Sequence, residues 1–317
     1  MLKPIKLNPI FKEIIWGGNR LKTEFNKVSD LKNIAESWEL TVRDDGMNTI
    51  FGGEFDSLTM SEYIEKNGYR VISDKPLERF PLLIKFIDAK DNLSIQVHPD
   101  DAYALKNENS LGKTEMWYIM DAEPGAKLVY GLKKGCTTDI LAEAIKNNKV
   151  EEYLNFVPVK KGDVFFIPSG LVHAIGSGIL LAEIQQNSNI TYRVYDYGRL
   201  GKDGKPRELH VKKALDVIVN RSQEEIEKIR FSKDNATDTT LASCDFFKVD
   251  KINTDGKTTI FADEKSFNSI LCLDGEGFIG YKDEKFPIKK GDSYFIPANM
   301  GEYSVNGKTE IIVSKIQ

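Results

Sequence analysis

The chain has 317 residues, 41% of them hydrophobic and 29% charged, and a formal net charge of −4 in which the two signs are well mixed. This is the balance of a soluble globular protein long enough for two domains. It lacks the basic block that tracks a phosphate backbone and any run near the ~20 apolar residues of a membrane span, so nucleic-acid and membrane partners are not expected. The opening MLKPIKLNPIFKEIIWGG breaks its apolar residues with Lys, Asn and Pro and does not read as a signal peptide. Cys136, Cys244 and Cys272 are far apart and odd in number. They point to reduced thiols in a cytoplasmic protein rather than to a disulfide framework or a Cys-based zinc site.

In chain order, SLTMSEYIEKNG (57–68) predicts a short helix ending on Gly68. LLIKFIDAKDNLSIQVHP (82–99) predicts two strands joined by a polar turn over Ala89–Asn92, and EMWYIMDAEPGAKLVYGL (115–132) two more around Glu123-Pro124-Gly125. Helical spacing at Ile140, Leu141, Ala144 and Ile145, behind a Thr/Asp start signal, predicts a helix within 137–157. Residues 162–198 read as strand after strand, their Val, Ile, Phe and Tyr broken by Pro, Gly and Ser. Further helices are expected over 208–220 and 222–230.

KKGDVFFIP (160–168) returns as KKGDSYFIP (289–297), identical at Lys, Lys, Gly, Asp, Phe, Ile and Pro. Such a repeat implies two copies of one β-unit. The first copy runs on to His173; the matching position in the second is Glu302. The expectation is a mainly β protein of two related barrels. Residues 1–230 would carry the site and a helical insertion at about 133–157 between strands of the first barrel. Residues 231–317 would serve as scaffold, and the polar stretch 230–240 as the boundary.

The chain has only three histidines. In SIQVHP, Ser94, Gln96 and His98 alternate by two and so share one face of a strand. Lys113 and Glu115 share a face where the next strand begins, and His173 follows the Pro168-Ser169-Gly170 turn. Two imidazoles, a carboxylate and an amide oxygen form a donor set suited to zinc, with manganese, iron or cobalt as substitutes. The ordinary alternative for any one of these residues is a satisfied polar side chain. The spacing G-x5-P-x-G-x2-H from Gly162 to His173 favours the ligand reading. His210 lies at a helix start and reads as structural. Trp16, Trp38 and Trp117 read as core, with Trp117 turned away from the ligands. GKT at 112–114 lacks the upstream glycine of a phosphate loop.

Gly162, Pro168, Gly170 and His173 resemble the second cupin motif, and residues 93–115 a variant of the first, with Gln96 where many cupins have histidine. LSIQVHPDD, GKTEMWY and AEIQQNSNITYRVYDYGR together resemble the type I mannose-6-phosphate isomerases, in particular the short bacterial form. The likeness runs from IWGG (15–18) and ESWEL (36–40) through ELHVKKALDVI (208–218), and the degenerate second cupin fits it.

The resemblance implies two cupin-type jelly-roll barrels and one Zn²⁺ on Gln96, His98, Glu115 and His173. It matches Arg193 to an active-site arginine and Glu183 to a carboxylate proposed for acid/base work. It matches Ser94, Lys113 and Arg199 to positions that meet the phosphate or sugar hydroxyls. The implied partner is a small phosphosugar, for a monomer or homodimer, and the implied reaction passes through an enediol(ate). Arg193, Glu183 and Lys113 are the expected catalytic residues. One departure is Asn189, where the family usually has Asp; Asn carries no charge to pair with Arg193. The alternatives are a metal- or sugar-binding cupin without turnover and a different metal-dependent cupin enzyme, such as an oxygenase.

Overall fold

The computed structural model describes residues 2–201, 204–229 and 240–317. Strands dominate, and every pairing between them is antiparallel. From Leu82 onward the chain passes back and forth between two sheets. One sheet takes Leu82–Ala89, Glu115–Ala122, Val164–Ile167 and Ile179–Gln186, extended by Glu36–Leu40 and Ile10–Lys12. The other takes Ile95–Val97, Lys127–Leu132, Leu154–Pro158, His173–Ala174 and Tyr192–Tyr195. Each polar turn thus carries the chain across rather than closing a simple hairpin. Two sheets facing each other in this way form the jelly roll of a cupin.

The period of two sorts the side chains. Met116, Tyr118, Ala182 and Ile184 point outward into an apolar layer shared with Phe247, Leu271, Phe295 and Ile312 of the C-terminal sheet. Trp117, Ile119, Ile179 and Leu181 point inward, where they join Leu128, Tyr130, Phe165 and Ile167 to fill one half of the interior. The other half is polar and holds the site.

The C-terminal sheet is built on Lys248–Ala262, Asn268–Tyr281 and Gly301–Lys315. The chain's own beginning joins it: Ile5–Asn8 pairs with Ser293–Ile296 and with Thr49–Ile50. The segment 1–230, expected as one unit, therefore lends two short strands to the sheet of 240–317. Residues 230–239 of the expected boundary lie outside the described residues.

The sequence repeat is a repeat in space. In each copy an Asp carboxylate accepts from the backbone of the first Lys: Lys160 N to Asp163 Oδ2 and Lys289 N to Asp292 Oδ2, both 3.0 Å. The following strands pair alike, Ile167 opposite Glu115 and Ile296 opposite Asn268. In the second copy, Asn268 thus stands where the first has Glu115, and its amide donates to the Tyr303 hydroxyl at 3.0 Å. Glu302 is exposed. The second copy keeps the turn and has replaced the donors.

Helix Met60–Asn67 has a full capping box, Thr59 with Glu62, and ends on Gly68 as expected. Helices Val211–Val217 and Gln223–Ile229 fall within their expected ranges. The helix expected within 137–157 is shorter, Thr138–Lys146. Asn147 caps it, Asn148 adopts φ 55°, and Leu154–Pro158 is a strand against Lys127–Leu132. Asparagine tolerates the left-handed region and ends the helix there. Helix Asp101–Glu108 was not expected. Only Ala104 is buried on it, so it carries no apolar stripe; its signal is the Asp100 cap, which accepts from Tyr103 N at 2.9 Å. The three cysteines are free. Among the described residues no helix is long and apolar enough to cross a membrane.

Candidate metal centre

The centre is assembled by cross-strand register. His173, Gln96 and Arg193 stand side by side in one row over three strands, and paired residues share a face. His98 follows the Ile95–Val97 strand, and Glu115 opens the strand of the facing sheet. Backbone stitches hold the loops that carry them. Gly170 N donates to His98 O at 2.8 Å, tying the His173 turn to the His98 strand. Lys113 N donates to Pro99 O at 3.0 Å, and Thr114 N to Gln186 Oε1 at 2.8 Å. Gly170 has φ 78°, and a Cβ there would lie 2.6 Å from Val219 Cγ2. A Cβ at Gly112 would lie 2.5 Å from Asp101 N. Both turns need glycine for close approach.

The donor atoms converge. His98 Nε2 and His173 Nε2 are 3.1 Å apart, Gln96 Nε2 is 3.4 Å from His173 Nε2, and Glu115 oxygens lie 3.5 Å from His173 and 3.7 Å from His98. Donors around a tetrahedral divalent ion with bonds of about 2.1 Å stand about 3.4 Å apart. Turned about its last bond, the Gln96 amide presents its oxygen at the same point.

Electrostatics also calls for a cation here. His173 Nδ1–H donates to Leu171 O at 2.8 Å, which leaves Nε2 as a lone pair facing the cluster. Burial, helped by the nearby Lys113 ammonium, pushes His98 well below the usual histidine range, and burial holds His173 down to about 4. Two neutral imidazole nitrogens therefore face each other at 3.1 Å. Glu115 is fully buried, and neither oxygen accepts a hydrogen bond of good geometry; Lys113 Nζ lies 3.2 Å from Oε2. A buried carboxylate that faces two imidazole lone pairs, with one ammonium at its Oε2 alone, is costly without a positive charge among the three side chains. The residues fit a divalent ion.

Burial and the Glu183 charge raise Glu115, against Lys113 and Lys85, above the usual carboxylate range. A cation must therefore displace a proton from it at mildly acidic pH. Metal binding is expected to release more protons as pH is lowered, with affinity rising with pH until Glu115 is ionised. Calorimetry in buffers of different ionisation enthalpy measures the release; a release that does not grow between about pH 8 and about pH 5 would contradict the raised Glu115.

Behind the ligands lies a second polar row. Trp117, Glu183, Lys85 and Trp38 stand opposite one another across four strands. Lys85 Nζ is 3.1 Å from Glu183 Oε1 and 3.5 Å from Glu36 Oε2, and Trp117 Nε1 donates to Glu183 Oε2 at 3.0 Å. Burial alone would raise Glu183, but Lys85, Lys113 and the Trp117 hydrogen bond outweigh it and hold the carboxyl below its usual range. The expectation that Trp117 turns away from the ligands is wrong: two residues from Glu115 is one full strand period, and its ring packs edge-on against His173 at 5.4 Å. Lys85 and Glu36 were missed. Their signal was a lone lysine in the otherwise apolar LLIKFI, at an inward position.

Gln96, His98, Lys113, Glu115 and His173 are thus brought together. Ser94 is buried just ahead of the Gln96 strand. Arg193 shares the Gln96 row, but its Nη1 donates to Glu208 O at 3.1 Å. Arg199 belongs to another cluster: with Arg207 it binds the Asp196 carboxylate, and it reaches Asn92 O. His210 sits at the N-cap of its helix, and its Nδ1 accepts from Arg193 N at 3.3 Å. The Asn189 amide donates to Asp45 at 2.9 Å.

A jelly roll with a buried His–Glu–His cluster in its polar half, backed by a second cupin sheet that has no such cluster among the described residues, is the build of a bicupin metal protein. Residues 5–126 match the family model described as phosphomannose isomerase type I, catalytic domain, and residues 237–316 that of mannose-6-phosphate isomerase, cupin domain. The chain is 39% identical to mannose-6-phosphate isomerase ManA of Bacillus subtilis over 99% of both chains. It is 34% identical to a mannose-6-phosphate isomerase of Streptococcus mutans over 99% of this chain and 98% of that one. A crystal structure of the mannose 6-phosphate isomerase from Bacillus subtilis superposes with a TM-score of 0.89 at 35% identity, covering 98% of this chain and 99% of that one. The chain belongs to the type I phosphomannose isomerase family.

Proposed function

We propose that this chain interconverts D-mannose 6-phosphate and D-fructose 6-phosphate, using one zinc ion held by Gln96, His98, Glu115 and His173. The convergence of those four side chains, one of them a buried carboxylate facing two imidazole nitrogens, is the observation that carries the reading. A divalent ion bound there supplies Lewis acidity at the sugar's carbonyl oxygen while the carbonyl shifts between C1 and C2.

The chain's own residues do the rest. Lys113 presents a buried ammonium beside Glu115 and donates to a sugar oxygen that becomes negative. Lys85 adds a second buried cation, its charge fixed by Glu183 and Glu36. With its carboxylate bound by Lys85 and Trp117, Glu183 stays anionic throughout the neutral range. Ionised, it is in the state that takes the proton from C2 and returns it to C1, or the reverse, while Lys85 and Trp117 lower its basicity. Arg193, next to Gln96, offers a planar fork to the sugar oxygens once it leaves the Glu208 carbonyl. Ser94, Lys113 and Arg199 form the proposed phosphate anchor, with Arg199 trading Asp196 for phosphate. The apolar packing of the closed half keeps bulk water from the reacting carbons. We read residues 1–230 as the catalytic unit and 231–317 as a degenerate cupin, in a cytoplasmic monomer or homodimer.

A coupled assay for fructose 6-phosphate tests the reading. Turnover should vanish with chelator and return with zinc. Stoichiometric zinc with no turnover on mannose 6-phosphate or other phosphosugars would identify a binding protein instead.

A further inference from the structure

We propose that the hairpin of Val42–Arg43 and Gly46–Met47 is a clasp over the mouth of the first barrel. Arg43 and Asp45 fasten it to Asn187 and Asn189, and these act as positioning residues that set how tightly a phosphosugar is held. The inference rests on the isomerase reading.

The hairpin lies on the interior side of the sheet. Trp38 is opposite both Ile10 and Lys85 in register, so all three face inward. Gly46 sits directly on that face: a Cβ there would be 2.9 Å from the Trp38 ring and 3.3 Å from Ile10 Cγ2. Lys12 reaches the same spot, its Nζ 4.2 Å over the Trp38 ring and donating to Asp45 O at 2.5 Å.

From there the tip reaches the link that follows Gln186. Asn189 Nδ2 donates to Asp45 Oδ2 at 2.9 Å, Arg43 Nε to Asp45 Oδ1 at 2.7 Å, and Arg43 Nη1 to Asn187 O at 3.3 Å. Asn187 and Asn189 lie on the link between Ile179–Gln186, which carries Glu183, and Tyr192–Tyr195, which carries Arg193 beside Gln96. The clasp therefore ties the Trp38 face, which lies beside Lys85 and Glu36, to the link between the two sheets. Its fastenings are partly exposed, with the Asp45 side chain 43% accessible and Arg43 21%, and exposed polar contacts open easily. A clasp of this kind admits the sugar and closes behind it.

Asp45→Ala removes the carboxylate that accepts from Asn189 at 2.9 Å and from Arg43 at 2.7 Å and should spring the clasp. The expected result is a KM for mannose 6-phosphate raised about tenfold with kcat changed less than about threefold, the pattern of lost uniform binding. Amide exchange over 42–47 should quicken. Asp45→Asn keeps an acceptor oxygen for Asn189 but loses the charge that holds Arg43, and should fall between the parent and D45A in both values. An unchanged KM for D45A, or unchanged exchange over 42–47, would overturn the proposal. If the parent protein shows no turnover, the isomerase reading falls instead, and the exchange rates of 42–47 in the two variants decide whether the clasp exists.

Discussion

His173→Ala protein is expected to fold, to lose its bound metal, from about one ion per chain to less than about a tenth, and to lose at least about a thousandfold in kcat/KM. The imidazole is fully buried, with Nδ1 committed to Leu171 O and only Nε2 free for the cluster. Alanine therefore deletes a donor that no neighbour can replace. Three of the four donors remain, Gln96, His98 and Glu115. Loss of Lewis acidity worth several kcal/mol corresponds to a rate loss of this size. The repeat supplies an internal control. Glu302→Ala alters the matching position of the second copy, which is exposed and has Asn268 in place of the carboxylate. It should keep full metal and full activity. Metal analysis of the two proteins side by side is the check; equal metal content in both would mean that His173 is no ligand.

Lys85→Met is expected to cost about 3–5 kcal/mol of stability at neutral pH, as removal of one member of a buried ion pair does, seen as a fall in Tm on the order of 10 °C. The lysine is 4% exposed and neutralises two carboxylates, Glu183 and Glu36. Without it, Glu183 keeps the Trp117 N–H and the more distant charge of Lys113. The pH dependence has a definite sign. Glu183 is held below its ordinary value of 4.5 in the native protein. It thus adds stability that is complete above that value and drains away as pH falls below it. In the variant the same carboxyl is pushed up by burial and takes a proton more readily. The gap in Tm between the two proteins should therefore be widest near pH 7 and narrow toward pH 4. A gap that stays constant over this range would show that the ion pair is not its source.

How far the fold and the site could be read in advance followed from how local their causes are. Strand alternation, Pro and Gly turns and the Thr59–Glu62 capping box are written into neighbouring residues, and the jelly roll and the capped helix were legible. Gln96 and His98 were legible as a pair because a period of two puts them on one face. His173 was marked by its Gly and Pro spacing. Trp117 was misplaced by a miscount of the same period, not by missing information. Lys85 sits in a strand that otherwise reads as pure core, and its partners Glu36 and Glu183 come from two other strands. Its meaning exists only once the sheet is in register. The Asp45–Asn189 contact joins a hairpin tip to a link 144 residues away and has no local sign at all. The early end of the Thr138–Lys146 helix turned on Asn147 and Asn148, whose preference for helix ends outweighed the apolar residues beyond them.

The most direct measurement of the central claim is anomalous diffraction from crystals of the zinc-loaded protein, collected on either side of the metal edge. A single peak per chain within bonding distance of Gln96, His98, Glu115 and His173 is the expected result. Zinc bound elsewhere, or an empty space among those four side chains in active protein, would contradict it.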